Sequence, residues 1–290
     1  MRIMVATDGS NGAADAIEWL AHFPLPPDAT VEVVSVIPAP IFDEKLMPTP
    51  WSELRAETER TLDEARRRLA KRWSSTATQV LYGDARDVLV ETARRSATDL
   101  IVMGARGLGA VAGFLLGSVS LDVARRAPCS VLVCRGPARP LRTVTIGLDG
   151  STDAADALSF FSGLPLTADV TAHLVGVVES LRQHPSAPER LGGSLTEAIR
   201  HDEEMRRRQM AGVLRDAAPA LGSRGRAVTS ETLLGSPAST LIRAAARTDS
   251  DLIVVGSRGK GGMKRIMLGS VSESVLRHAA CPVLIARRPE

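Results

Sequence analysis

The residues best suited to chemistry in this chain are two clusters of glycine and serine that occur twice. Residues 99–107 (DLIVMGARG) return as residues 251–259 (DLIVVGSRG), and residues 116–120 (LGSVS) return unchanged as residues 268–272. In both copies, nine residues separate the last glycine of the first cluster from the glycine of the second. Because corresponding glycines lie 152 positions apart in both clusters, the chain contains an internal duplication.

These clusters have the chemistry of a phosphate site. A glycine lets backbone N–H groups approach an anion because no Cβ atom stands in the way. A Gly-Ser pair at the start of a helix adds free amides, the helix dipole and a hydroxyl donor. One such glycine would be explained as well by a tight turn. A spacing that two otherwise diverged copies share favours a polyphosphate site in each.

The segments around the clusters alternate between strands and helices. Continuous apolar runs at 100–103 and 252–255 are typical of strands covered on both faces, and charged segments at about 54–72 and 195–217 have the apolar spacing of helices. Such alternation predicts right-handed βαβ units. We therefore expect an α/β fold of two tandem Rossmann-like domains, each with a five-stranded parallel sheet and helices on both faces.

The domain boundaries follow from the repeat. Residues 1–137 form the first expected domain and residues 141–290 the second, with a linker near residues 135–141 that contains two prolines and a glycine. Ligands bind parallel sheets beyond the carboxyl ends of the strands, where both glycine clusters are expected. Two Pro-containing segments, 38–50 and 184–188, are longer than most connections, and we expect them to act as lids.

Composition narrows the function classes. The 36 Lys and Arg residues are interleaved with 33 Asp and Glu, for a net charge of +3, which is typical of solvated helix surfaces. Aromatic residues are 3% of the chain, too few for stacking on single-stranded nucleic acid. No apolar run approaches the roughly 20 residues of a membrane span. With three cysteines and no signal-peptide pattern, we expect a cytoplasmic protein without disulfides.

The motif Gly-x2-Gly-x9-Gly-Ser in each copy, an aspartate after the first strand and the sequence CPVL at 281–284 resemble the tandem, ATP-binding branch of the universal stress protein family. The resemblance implies strand order 3-2-1-4-5, ATP binding with Mg²⁺, and pairing of the two domains through their fifth strands.

The resemblance also implies roles for individual residues. Asp8 and Asp149 would lie beside the ribose and the metal-bound phosphates, and the backbone of Val36 and Val177 would contact adenine. The remaining residues would hold the phosphates: Gly104, Arg106, Gly107, Gly117, Ser118 and Ser120 in the first copy, and Gly256, Arg258, Gly259, Gly269, Ser270 and Ser272 in the second.

The two copies differ in charge between their glycines. The second copy has Lys260, Lys264 and Arg265, whereas the first has Leu108, Ala110, Val111 and Phe114. Because cations attract polyphosphate over long range, we expect tighter binding in the second domain. A solvated loop explains the same cations equally well.

These observations predict an ATP-binding regulatory stress-response protein that acts on an unidentified protein partner and forms a homodimer of tandem chains. The sequence has no Gly-x4-Gly-Lys-Ser/Thr loop, no zinc-ligand spacing and no Gly-x-Ser-x-Gly elbow, so we expect no enzyme. The five histidines are expected at the surface or at strand edges. Two alternatives remain open: a slow ATP hydrolase and a nucleotide-independent dimerisation scaffold.

Overall fold

The chain forms alternating strands and helices in a computed structural model that describes residues 1–38, 50–108, 116–180, 193–222, 226–259 and 268–288. The first half contains β1 (Arg2–Ala6), α1 (Asn11–His22), β2 (Thr30–Ile37), α2 (Trp51–Leu69), β3 (Thr76–Tyr82), α3 (Ala85–Arg95), β4 (Leu100–Gly104), α4 (Ser118–Arg126) and β5 (Ser130–Cys134). The second half contains β6 (Thr143–Gly147), α5 (Thr152–Ser162), β7 (Thr171–Val178), α6 (Gly193–Gly222), β8 (Val228–Leu234), α7 (Pro237–Arg247), β9 (Leu252–Gly256), α8 (Ser270–His278) and β10 (Val283–Ala286).

The strands of both halves join into one sheet of order β3-β2-β1-β4-β5-β10-β9-β6-β7-β8. Each half therefore has the order 3-2-1-4-5 that the family resemblance implies. Pairing is parallel within each half and antiparallel between β5 and β10, which confirms the expected contact of fifth strands within the chain. Since that contact is antiparallel, the strands of the two halves end at opposite edges of the sheet.

Helices cover both faces of the sheet, as the alternating pattern predicts. Helices α1, α2, α5 and α6 contribute to one hydrophobic core, and α3, α4, α7 and α8 contribute to the other. The central strands β4, β5 and β9 are buried at every position, which explains why their sequences are apolar without alternation. Among the described residues, no helix has both the length and the apolar character needed to cross a membrane.

Two arginines make equivalent contacts across the junction between the halves. Arg135 follows β5 and donates hydrogen bonds to the carbonyls of Leu276 and Ala279, both at 2.6 Å, at the end of α8. Arg287 follows β10 and donates to carbonyls of Ala124 and Ala127 at the end of α4. The last carbonyls of a helix lack partners within it and carry its negative dipole end. Each half therefore caps a helix of the other.

An ion pair links the same two helices directly. Arg125 of α4 holds Glu273 of α8 through two hydrogen bonds, at 2.9 and 2.7 Å, and Arg277 binds the same carboxylate. Burial by itself would raise the pKa of Glu273, but the hydrogen bonds from both arginines outweigh it and leave the pKa below its usual value. Helices α4 and α8 thus bind each other directly through this ion pair, and each is also capped by an arginine of the opposite half.

Close backbone contact fixes α1 against the end of β4. A Cβ atom added to Gly104 would lie 2.4 Å from the carbonyl oxygen of Gly12, and one added to Gly12 would lie 2.4 Å from the carbonyl oxygen of Arg106. The second half repeats the first of these contacts, where a Cβ on Gly256 would lie 2.6 Å from the backbone of Asp153. Glycine at the end of the fourth strand is therefore a packing requirement in both halves.

Replacing Arg135 or Arg287 by alanine should lower the free energy of unfolding by about 2 kcal/mol each, because helix-end carbonyls lose charged donors. Denaturant unfolding followed by circular dichroism measures the change. Arg67→Ala on α2 is the control, since Arg67 is exposed and its guanidinium bonds to a carbonyl of its own helix. A loss no larger than that of the control would contradict the proposed role of the arginines.

Gly104→Ala should lower the free energy of unfolding by about 2 kcal/mol, because the new methyl group would overlap the backbone of α1. Gly212→Ala in α6 is the matched control. Its nearest added contact is Arg215 at 3.8 Å, so it should leave stability unchanged or raise it by up to about 1 kcal/mol. Equal stabilities for the two variants would show that the contact at Gly104 is relaxed in solution.

Candidate functional site

The carboxyl ends of β1 and β4 form the expected ligand edge in the first half. Strand order reverses between these neighbours, and the helices that follow them, α1 and α4, lie on opposite faces of the sheet. The backbone therefore diverges above this point, as in other doubly wound sheets that bind ligands there. The same arrangement exists between β6 and β9 in the second half.

Asp8 connects the two loops at this edge. Its carboxylate accepts hydrogen bonds from the backbone N–H of Ser10 at 3.0 Å and from that of Leu108 at 2.8 Å. A Cβ atom on Gly107 would lie 2.2 Å from the same carboxylate, which explains why residue 107 is a glycine. The structure thus brings Asp8 and Gly107 together.

Asp149 has the equivalent position in the second half. It accepts a hydrogen bond from the backbone N–H of Ser151 at 2.9 Å, and a Cβ atom on Gly259 would lie 2.7 Å from its carboxylate. The aspartate and the second glycine of the motif are therefore in contact in both halves. The carboxylate is a positioned anion at the ligand edge in each.

Helices α4 and α8 begin with uncapped amides. Gly117 and Gly269 stand at their N-caps and provide no side-chain acceptor, whereas Ser10 and Ser151 cap α1 and α5. The N–H of Gly117 itself donates to the carbonyl of Ala105 at 2.8 Å, so the start of α4 is held against the loop after β4. Among the described residues, no N-cap side chain accepts from the first amides of α4 and α8, and such amides suit an anion.

The serines of the motif divide into two groups. Ser118 and Ser270 are exposed at the helix starts. Ser120 and Ser272 are buried, with hydroxyls that donate to the carbonyls of Gly104 at 2.8 Å and Gly256 at 2.7 Å. The structure gives the buried pair a role in shaping the loop, which the sequence pattern alone did not indicate.

Val36 and Val177 lie near the carboxyl ends of β2 and β7. Both are half-buried and pack on the face of the sheet that carries α3, α4, α7 and α8. They are thus on the same face as Ser118 and Ser270, respectively. A ligand that contacts both the valine backbone and the helix start would lie over this face.

The corresponding arginines of the motif have different environments. Arg106 is exposed, and its side chain makes no hydrogen bond or ion pair within the part of the chain that the structure describes. Arg258 donates to the carboxylate of Asp153 at 3.0 Å. The hydroxyl of Ser257 donates to the same oxygen at 2.7 Å.

An open pocket of about 430 Å³ lies on the α1 face of the first half. It shares Arg106 and Gly107 with the predicted site, but its wall also includes Asp15, Cys134 and Arg135. The pocket is therefore adjacent to the predicted phosphate residues and extends toward the other face of the sheet. No sequence pattern marked Asp15 or Arg135, because only the fold brings them beside the loop after β4.

The three cysteines are buried or half-buried, and the described cysteines and histidines form no metal cluster. Burial raises the pKa of Cys129 to about 12 and that of Cys281 to about 11, and it raises the pKa of Cys134 as well, so these thiols stay protonated near neutral pH. Within the described ranges, no group of three His, Cys, Asp or Glu side chains is arranged to hold a metal ion.

His173 lies in β7, next to the edge strand β8, and so is neither at the surface nor on the edge strand, the two positions expected for the histidines. It is buried beside the edge strand, with hydrogen bonds of 2.7 Å to Thr229 and Glu231. Several other expectations lie outside the described residues: the charges at Lys260, Lys264 and Arg265, the apolar Ala110, Val111 and Phe114, and most of both Pro-containing segments.

Comparison with known proteins agrees with this fold. Universal stress protein Rv1996 of Mycobacterium tuberculosis is 33% identical over 172 residues, which cover 51% of this chain and 54% of that protein. Universal stress protein MJ0531 of Methanocaldococcus jannaschii is 44% identical over 140 residues, 47% of this chain and 82% of that protein. The match with the mycobacterial relative thus spans about half the length of that protein.

A solved structure matches the whole chain. The universal stress protein from Archaeoglobus fulgidus has a TM-score of 0.66 at 22% identity, and the match covers 99% of this chain and 98% of that one. The model of the universal stress protein family matches residues 1–135 and again residues 140–287. Since these two matches cover nearly the entire sequence, the chain belongs to the universal stress protein family and contains two copies of its domain.

Proposed function

We propose that this protein binds ATP in each half and uses the bound state to regulate a protein partner during stress. One observation carries the proposal. At the ligand edge of both halves, an aspartate, a close-packed glycine and an uncapped helix start occur together. Family membership supports the stress-related part of the proposal.

Different residues would bind the phosphates and the adenine of the nucleotide. The free amides of α4 and α8, with the exposed Ser118 and Ser270, would bind phosphate oxygens. Gly107 and Gly259 would offer backbone N–H groups to the phosphates, and the missing Cβ atom leaves room for Asp8 and Asp149 beside them. The backbone near Val36 and Val177 would contact adenine. These assignments treat the two halves as equivalent in kind.

Asp8 and Asp149 would hold Mg²⁺ only if phosphate supplies further oxygen ligands. Asp8 and Asp149 are single carboxylates, and each already accepts a backbone hydrogen bond. Mg²⁺ is commonly held by one or two carboxylates, substrate phosphates and water. In this proposal the ion is a counter-charge that these aspartates and the nucleotide share, and no bond-breaking step is assigned to it.

We propose binding as the function, and turnover as an alternative that experiment can distinguish. The regulatory partner, the homodimer and a cytoplasmic location belong to the same proposal. A bound nucleotide would tie the loop after β4 to the start of α4, and this would stabilise a surface for the partner.

Purified protein should bind ATP with Mg²⁺ in isothermal titration calorimetry, and denatured protein should release adenine nucleotide detectable by mass spectrometry. The double variant Gly117→Glu/Gly269→Glu should lose binding, since a carboxylate at each helix start repels phosphate. Gly212→Glu adds the same charge in α6, away from both sites, and should bind as the wild type does.

Two results would redirect the proposal. Phosphate release well above background that disappears in Asp149→Ala would favour the slow hydrolase. A protein that neither releases nucleotide nor binds it on titration would favour the dimerisation scaffold. Thermal unfolding of each variant must match that of the wild type, so that loss of binding is not loss of fold.

A further inference from the structure

The loop arginine, which is Arg106 in the first half and Arg258 in the second, is exposed in the first half and ion-paired in the second. Arg106 is exposed without a polar partner among the described side chains. Arg258 has two-thirds of its side chain covered and forms an ion pair at 3.0 Å with Asp153, whose side chain is 22% exposed. Asp153 also accepts a hydrogen bond from the hydroxyl of Ser257. The arginine of the second half thus forms an ion pair with a carboxylate of the same chain.

Substitutions between the copies create this difference. Asp153 occupies the position of Gly12, since each lies four residues after the aspartate that follows the first strand of its half. Ser257 occupies the position of Ala105. The first half has no room for the same pair, since a Cβ atom on Gly12 would lie 2.4 Å from the carbonyl oxygen of Arg106. The backbone therefore excludes a side chain in one half and accepts one in the other.

The residues around the arginines follow the same trend. In the first half, Asp15 and Gly136 line the open pocket. Their counterparts in the second half are Asp156 and Arg288, which approach each other to 3.8 Å. At these positions the first half has one charged residue beside its loop arginine, and the second half has an ion pair.

Carboxylate and phosphate compete for the same donors. A guanidinium binds either group through charge-assisted hydrogen bonds. Asp153 also lies in the first turn of α5, where the helix dipole stabilises a negative charge. A phosphate that binds Arg258 either shares the guanidinium with this carboxylate or displaces it, and in both cases it lies beside a like charge.

We propose that Asp153 acts as an internal competitor for phosphate, so that nucleotide fills the first half before the second. The inference rests on the proposed ATP binding and adds an order of occupancy to it. This order is opposite to the one expected from Lys260, Lys264 and Arg265. The carboxylate of Asp153 contacts the motif arginine directly, whereas Lys260, Lys264 and Arg265 lie outside the described residues.

Each site can be measured alone. Gly269→Glu leaves the first site and Gly117→Glu leaves the second, and calorimetric titration with ATP and Mg²⁺ should show about tenfold tighter binding in the first. That factor corresponds to one charge-assisted hydrogen bond to phosphate. In the first-site background, Arg106→Ala should weaken binding by a similar factor. In the second-site background, Arg258→Ala should have a smaller effect.

Asp153→Asn is the decisive variant. In the Gly117→Glu background, it removes the competing charge, keeps an acceptor for Ser257, and should tighten ATP binding about tenfold. Asp216→Asn removes an equal charge from the exposed face of α6 and should leave affinity unchanged. Adding Arg258→Ala to Asp153→Asn should cancel the gain, because the released arginine is then absent.

The possible failures are distinguishable. Equal affinities of the two isolated sites, or no change on Asp153→Asn, would overturn the inference while ATP binding itself stands. No binding by the wild-type protein would overturn the proposed function instead. A gain from Asp216→Asn as large as that from Asp153→Asn would assign the effect to net charge and would also overturn the role of the Asp153–Arg258 pair.

Discussion

The antiparallel contact between β5 and β10 is the constraint on which the rest of the structure depends. Three residue pairs, from Val131 with Ile285 to Val133 with Val283, join two five-stranded sheets into one and remove an exposed edge from each. The contact also brings Arg135 and Arg287 under the helices of the opposite half. Because it is antiparallel, it places the two ligand edges at opposite sides of the sheet while α4 and α8 remain in contact through Arg125.

The glycines of the motif are explained by different contacts at different positions. Gly104 and Gly256 are required by the backbone of the first helix, Gly107 by the carboxylate of Asp8, and Gly117 supplies an N-cap without a side-chain acceptor. Packing thus explains Gly104, Gly256 and Gly107 without a ligand. Gly117 and Gly269 give α4 and α8 no side-chain cap, and the proposed nucleotide site depends on the first amides of these helices.

The duplicated halves share a framework and differ in electrostatics. Both retain the aspartate, the close-packed glycines and the buried serine that bonds to the end of the fourth strand. They differ where Gly12 is replaced by Asp153, a change that fills space and adds a charge next to Arg258. Comparing the copies in the sequence shows this substitution, but not its consequence, since the partner lies about a hundred residues away.

Three features follow from the amino-acid sequence alone: the duplication, the strand-helix alternation, and the gathering of Asp8 and the glycines at one edge. They depend on local periodicity and on the geometry of parallel strands. Strand β3 begins at Thr76, before the apolar residues Val80 and Leu81, because pairing with β2 extends it. The inward position of Ser120, the arginines that cap helices of the opposite half, and the ion pair of Asp153 with Arg258 emerge only in the folded chain. These outcomes depend on contacts between residues far apart in the chain, which no local pattern encodes.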